Sequence, residues 1–158
     1  MRYYFAGAYA RRAELAGRAM ELEMAVPTAK VTSSWLADPQ EGHDAGFSVG
    51  GMTTPEQIEL AWSYGQQDIA DLLRSDAIVS FTGEGARGGR HVEHGFAMAF
   101  LGDQPMGSKS EWPMRLIVVG PREHVFHCHP ATEVYPDFDA FLAHEITHYG
   151  PTGTARSA

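Results

Sequence analysis

The run Asp76-Ala77-Ile78-Val79-Ser80-Phe81 reads as a buried strand, and a short distance on the chain enters an apolar helix, Phe96-Ala97-Met98-Ala99-Phe100. Between them lies Gly88-Gly89-Arg90-His91-Val92-Glu93-His94-Gly95. A strand that feeds a helix in this way is the unit of an open α/β sheet, where ligands bind outside the carboxyl ends of the strands. The arrangement puts Glu93 in the first turn of a helix at that edge. A helix N-terminus favours an ionised carboxylate. The expectation is a charged Glu93 that serves as nucleophile or electrostatic stabiliser. The plain alternative is a first-turn acid that only complements the helix dipole.

The rest of the chain repeats the unit. Tyr3-Tyr4-Phe5-Ala6-Gly7 reads as a first strand ending at glycine. Residues 10–24 read as a helix with Leu15, Ala16, Ala19 and Met20 as its apolar stripe; Arg11, Arg12 and Glu14 face water and Pro27 stops it. A second strand covers residues 30–35. Residues 36–52, rich in Gly, Asp and His, form a long aperiodic loop of the kind that serves as lid or binding loop. Thr54-Pro55-Glu56 starts a long helix, which runs to about Arg74 through Ile58, Ala61, Trp62, Ile69 and Leu72. After the third strand come a helix over residues 90–101, a fourth strand over 114–119, a short edge strand over 132–135 and a last helix over 138–148. Strands alternating with helices predict a parallel sheet covered on both faces. The expected fold is flavodoxin-like, doubly wound and five-stranded, in the order 2-1-3-4-5.

A chain of 158 residues is long enough for one domain with a real core. The expected domain covers residues 1–149, followed by a flexible tail over 150–158. A formal charge of −8 argues against binding duplex nucleic acid through its phosphates, though not against a small anion held by local arginines. The lone Cys128 excludes an internal disulfide and fits a reducing compartment. No apolar run reaches the length of a membrane span. The expectation is a soluble, cytoplasmic protein without cofactor.

Other motifs compete with Glu93. Gly83-Glu84-Gly85-Ala86-Arg87-Gly88 fits G-x-G-x-x-G, but it follows the third strand, whereas a dinucleotide fingerprint follows the first. His144-Glu145-Ile146-Thr147-His148 matches the zinc motif H-E-x-x-H, with His124, His127 or His129 as candidate third ligand. The bland reading is an exposed last helix whose histidines complement the dipole. His124-Val125-Phe126-His127-Cys128-His129 is dense in soft ligands at the same sheet edge as Glu93, yet its spacing matches no standard metal pattern. In the long second helix Asp68 and Asp71 lie on adjacent faces, so that one projects toward the strand edge while the other is solvated. Trp62 and Tyr64 are either core residues or a stacking surface for a planar ligand.

Taken together, the chain resembles the nucleoside 2-deoxyribosyltransferase family and its relatives, the nucleotide N-glycosidases, over about residues 2–140. The likeness rests on the order and spacing of four segments: Tyr4-Phe5-Ala6-Gly7-Ala8-Tyr9; Gln67-Asp68-Ile69-Ala70-Asp71-Leu72 leading into Ser75-Asp76-Ala77-Ile78-Val79; Gly89-Arg90-His91-Val92-Glu93-His94-Gly95; and Ile117-Val118-Val119-Gly120. By that resemblance Glu93 would be the nucleophile, Asp68 would handle the base and its proton, and Tyr4 would orient the nucleophile. Gly7, Tyr9, Gly89 and Arg90 would line the substrate, with Trp62 as a stacking surface. The transferases carry Asp, and the nucleotide hydrolases Ser, where this chain has Arg87, a guanidinium suited to a 5′-phosphate. The family's phosphate-binding Ser and Arg match Ala8 and Ala10, and residues 150–158 lack the tail pattern that completes a neighbouring subunit's site. The resemblance implies exchange or hydrolysis of the N-glycosidic bond of a (deoxy)nucleoside or its 5′-monophosphate, in a homodimer or larger homo-oligomer. A zinc hydrolase on His144 and His148, and a non-catalytic nucleotide-binding module, are the readings from other classes.

Overall fold

The structure is a computed structural model and describes residues 1–37, 54–83, 89–99 and 114–151. Five parallel strands, β1 (Arg2–Ala6), β2 (Lys30–Val31), β3 (Ala77–Phe81), β4 (Arg115–Val119) and β5 (Thr132–Tyr135), pair in the order β2-β1-β3-β4-β5. Tyr4 sits opposite Ile78, and Val79 opposite Ile117. Among the described residues four α-helices flank the sheet: α1 (Arg12–Ala25), α2 (Pro55–Leu73), α3 (Gly89–Ala99) and α4 (Phe138–Tyr149). This is the expected flavodoxin-like, doubly wound sheet with helices on both sides.

The central strands have no solvent face. Every residue of β3 is buried, as are Leu116 to Val119 of β4. Strands covered on both sides by helices read as continuous apolar runs, which is why β3 and β4 stood out in the sequence. Burying side chains of this size stabilises by roughly 1.5–3 kcal/mol each. Successive strand residues point to opposite faces, and β1 uses this directly. Tyr3 sends its hydroxyl to Glu145 on α4, while Tyr4 sends its hydroxyl to Glu93 on α3.

Three local expectations are corrected. The second strand ends at Val31 rather than at residue 35. Beyond it Ser33 Oγ bonds the Phe5 amide and carbonyl, and Trp35 Nε1 donates to the same carbonyl, so side chains replace the ladder. Met20 of α1 is exposed instead of joining the stripe of Leu15 and Ala19. The apolar residues of α2 are also misassigned: Ile58, Trp62 and Ile69 face outward, and only Leu72 enters the core. The start of α2 is as read, with Thr54 and Gln57 forming a reciprocal capping box before Pro55. The long loop and most of the expected tail lie outside the described residues. Gly150 is buried, and its amide closes α4 on the Ile146 carbonyl.

Candidate active site

The site grows from β1. Tyr4 is wholly buried, and its hydroxyl donates to Glu93 Oε1 at 2.7 Å. From α2, Asp68 faces the same hydroxyl, while its Oδ1 is buried without a hydrogen-bond partner. Three elements far apart in sequence thus bring together two carboxyls and one phenol.

Burial governs their electrostatics, because desolvation disfavours the charged form. It raises the Glu93 carboxyl to about 7; the Tyr4 hydrogen bond opposes this and nearby Asp68 adds to it. Asp68 is raised to about 6, first by burial and then by Asp71, again against the Tyr4 bond. The Tyr4 phenol is pushed well above its ordinary value, first by burial and then by Glu93 and Asp68, so it remains a donor. The expected charged, first-turn Glu93 is therefore corrected. Helix α3 starts at Gly89, which puts Glu93 in the second turn where the dipole has faded, and desolvation outweighs what is left.

Asp71 is also corrected, since it is not solvated. It is 1 % exposed, takes the Ser34 amide at 2.9 Å and the Ser34 hydroxyl at 2.5 Å, and pairs with Arg74. Gln67 donates to the same Ser34 hydroxyl, so α2 turns a polar face to the protein.

The remaining candidates divide. A Cβ on Gly7 would run into Leu15 Cδ1, so close packing is reason enough for that glycine. Tyr9 lies in the turn before α1, its ring 6.3 Å from that of Trp35. Trp62 is 66 % exposed, which removes the core alternative. Gly89 is the exposed first residue of α3, with open space where a side chain would stand. Arg87 lies outside the described residues. Arg90 is turned under α3 and pairs with Glu123, which also accepts the Gly83 amide.

The zinc motif is a structural element here. His144 and His148 have ring centroids 4.2 Å apart, but Glu145 is wholly buried, bonded by Tyr3 and by Arg115 Nη2 at 2.8 Å. It faces inward where a metalloprotease base must face a metal-bound water, and α4 is not the exposed helix of the bland reading. Among the described residues no group of three or more His, Cys, Asp or Glu side chains is arranged to hold a metal ion, and no helix is long and apolar enough to cross a membrane.

A second buried polar group was not assigned from sequence. His94 is wholly buried with Nδ1 2.9 Å from Ser80 Oγ, and wholly buried His127 accepts the Glu123 amide on Nδ1 at 3.2 Å. The density of histidines over residues 124–129 was the available signal. What it lacked was the partner, since the positions on α3 that meet this turn are set by the sheet order.

Fold and site together define a flavodoxin-like α/β domain with a buried tyrosine and two carboxyls of raised pKa above its first strand. Among solved structures it is similar to a CMP N-glycosidase, BcmB, from Clostridium botulinum, at a TM-score of 0.47 and 17 % identity, over 91 % of this chain and 97 % of that one. No protein-family model and no curated protein sequence matches the chain.

Proposed function

We propose that this protein cleaves or exchanges the N-glycosidic bond of a (deoxy)nucleoside or its 5′-monophosphate through a covalent glycosyl-Glu93 intermediate. The observation that carries the reading is the Tyr4 hydroxyl held between Glu93, at 2.7 Å, and Asp68. Glycosidic cleavage develops positive charge at C1′ and negative charge on the leaving base. It needs a carboxylate facing the sugar and an acid facing the base. Glu93 takes the first role, its ionised form favoured by the phenol. Asp68 takes the second through its unpartnered Oδ1; with Glu93 raised to about 7 and Asp68 to about 6, the proton the pair shares must pass from Glu93 to Asp68 as the substrate binds.

In the first step the C1′–N bond breaks, its electron pair passes to the base nitrogen, and Asp68 supplies the proton. The Glu93 oxygen closes on C1′. In the second step a base nitrogen or a water attacks C1′, the ester bond to Glu93 breaks, and Asp68 takes the proton back. The same intermediate serves transferase and hydrolase. We place the transferase first and the nucleotide hydrolase second. A small-molecule substrate, a homodimer or larger assembly and a cytoplasmic location belong to the same reading.

The test is a chromatographic assay with deoxynucleosides and their 5′-monophosphates, each with and without a second free base. Glu93→Gln, folded by circular dichroism, is expected to lose turnover on the order of 10³-fold or more. New nucleoside only with added base identifies the transferase; free base without acceptor identifies the hydrolase. A folded Glu93→Gln protein of undiminished activity overturns the mechanism. Binding without turnover in the unaltered protein would move the reading to a nucleotide-binding module.

A further inference from the structure

On the β3–β4 side of α3, five buried nitrogen atoms have no hydrogen-bond partner: Arg90 Nε and Nη1, His91 Nδ1, His94 Nε2 and His127 Nε2. Among the described residues only Asp68 Oδ1 and Thr132 Oγ1 share that condition. Buried polar groups are almost always paired, with protein or with something else, so such a concentration marks a place where a partner belongs. The side chains form one cluster. The His127 ring centroid is 5.1 Å from that of His91 and 5.0 Å from that of His94, and the Arg90 charge acts on both His91 and His127. Arg90 is 2 % exposed.

Hydrogen-bond sense decides the ligand's chemistry. His127 Nδ1 accepts the Glu123 amide, so in the neutral ring the proton is on Nε2, which is then a donor. The two Arg90 nitrogens are donors in every state. A metal ion needs lone pairs and would face a guanidinium. An acceptor-only ligand meets each of these groups with the correct sense. We propose that Arg90, His91, His94 and His127 form a binding site for a tetrahedral oxyanion of the phosphate class. Its source is either free inorganic phosphate or the phosphate of a nucleotide.

Charge gives the site a signature. Glu123 already balances Arg90, so an added anion is compensated when an imidazole takes up a proton. The groups facing the site are Ser80 from β3, Arg90, His91 and His94 from α3, and Glu123, His124, His127 and His129 from the segment after β4. Burial holds His94 and His127 down to about 4, with neighbouring histidines adding to it; an anion raises both. Binding therefore strengthens as pH falls.

This inference stands on the cluster alone and is independent of the glycosyl-transfer reading. Inorganic phosphate is titrated into the full chain, with chelator present, by calorimetry at about pH 6 and about pH 8. Saturable binding is expected, with proton uptake and roughly tenfold higher affinity at the lower pH. It should vanish in Arg90→Met/Glu123→Met, which removes both charges together, with folding checked by circular dichroism. His127→Phe, which keeps the ring but removes a donor, should weaken it if the double variant does not fold. In the unaltered protein the imidazole proton and nitrogen resonances of His94 and His127 should move with phosphate. A 5′-monophosphate that displaces phosphate where the nucleoside does not identifies a nucleotide as the source; joint binding identifies free phosphate. No saturable binding, or binding indifferent to pH and to both substitutions, overturns the proposal and leaves ordered water as the occupant.

Discussion

Tyr4 is the residue on which the two carboxyls depend. Its hydroxyl works to lower the pKa of both Glu93 and Asp68, while burial raises both. Tyr4→Phe removes the opposing contribution and leaves the desolvation, so both carboxyls should rise further. A nucleophilic Glu93 must be ionised, so the acid limb of the pH–rate profile should move to higher pH. Turnover on that limb falls about tenfold for every pH unit the limb moves. Stability carries the opposite sign. A carboxyl whose folded pKa lies above its unfolded value costs stability as pH rises between the two, here from the ordinary glutamate range to about 7. Glu93→Gln should therefore be more stable than the parent above neutral pH, by on the order of 3 kcal/mol, and no more stable near pH 4. Denaturant titrations at both pH values check this. An equal effect at each would mean that Glu93 is not desolvated as described.

Helix α2 explains why the sequence was legible in outline and misleading in detail. Its boundaries follow from local chemistry, the Thr54 cap and Pro55, as the apolar runs of β3 and β4 follow from their burial on both faces. Its orientation does not. An apolar stripe is ordinarily turned to the core, yet here Gln67, Asp68 and Asp71 face Ser34 and Tyr4, so the inward face is polar because it builds the site. Periodicity reports that two faces exist, not which one the tertiary structure uses. The resemblance that paired Tyr4 with Glu93 gave no measure of the desolvation of Glu93, and the partners of His94 and His127 come from segments brought near only by the sheet. The consequence for α2 is an exposed row, Ile58 at 54 %, Trp62 at 66 %, Ile69 at 43 % and Leu73 at 52 %, all on one side at helical spacing. A row of this kind fits self-association. Trp62→Glu should shift the protein toward monomer in sedimentation velocity while its circular dichroism stays the same. An unaltered protein that is already monomeric would remove the oligomer from the reading.

The molecule as a whole is tied together on the face of the sheet opposite the active site. Arg115, at the start of β4, bonds Glu133 of β5 through Nε at 2.9 Å and Nη2 at 2.8 Å, and Glu145 of α4 through Nη2 at 2.8 Å; Tyr3 of β1 reaches the same Glu145. Although burial acts to raise it, Glu133 is held below the ordinary range by Arg115. A depressed folded pKa contributes stability that is present above the unfolded value and is lost as pH falls through the folded one. Acid should loosen this tie as Glu133 takes up its proton. Removing one partner of a buried ion pair costs about 3–5 kcal/mol. Glu145→Ala should therefore lower the melting temperature by roughly 10 °C for a chain of this size, with any loss of turnover following the loss of folded protein. This outcome separates the structural role of Glu145 from the chemical role that H-E-x-x-H suggests. A Glu145→Ala protein with unchanged melting temperature and abolished turnover would return the motif to catalysis, and its zinc content would then decide between the two readings.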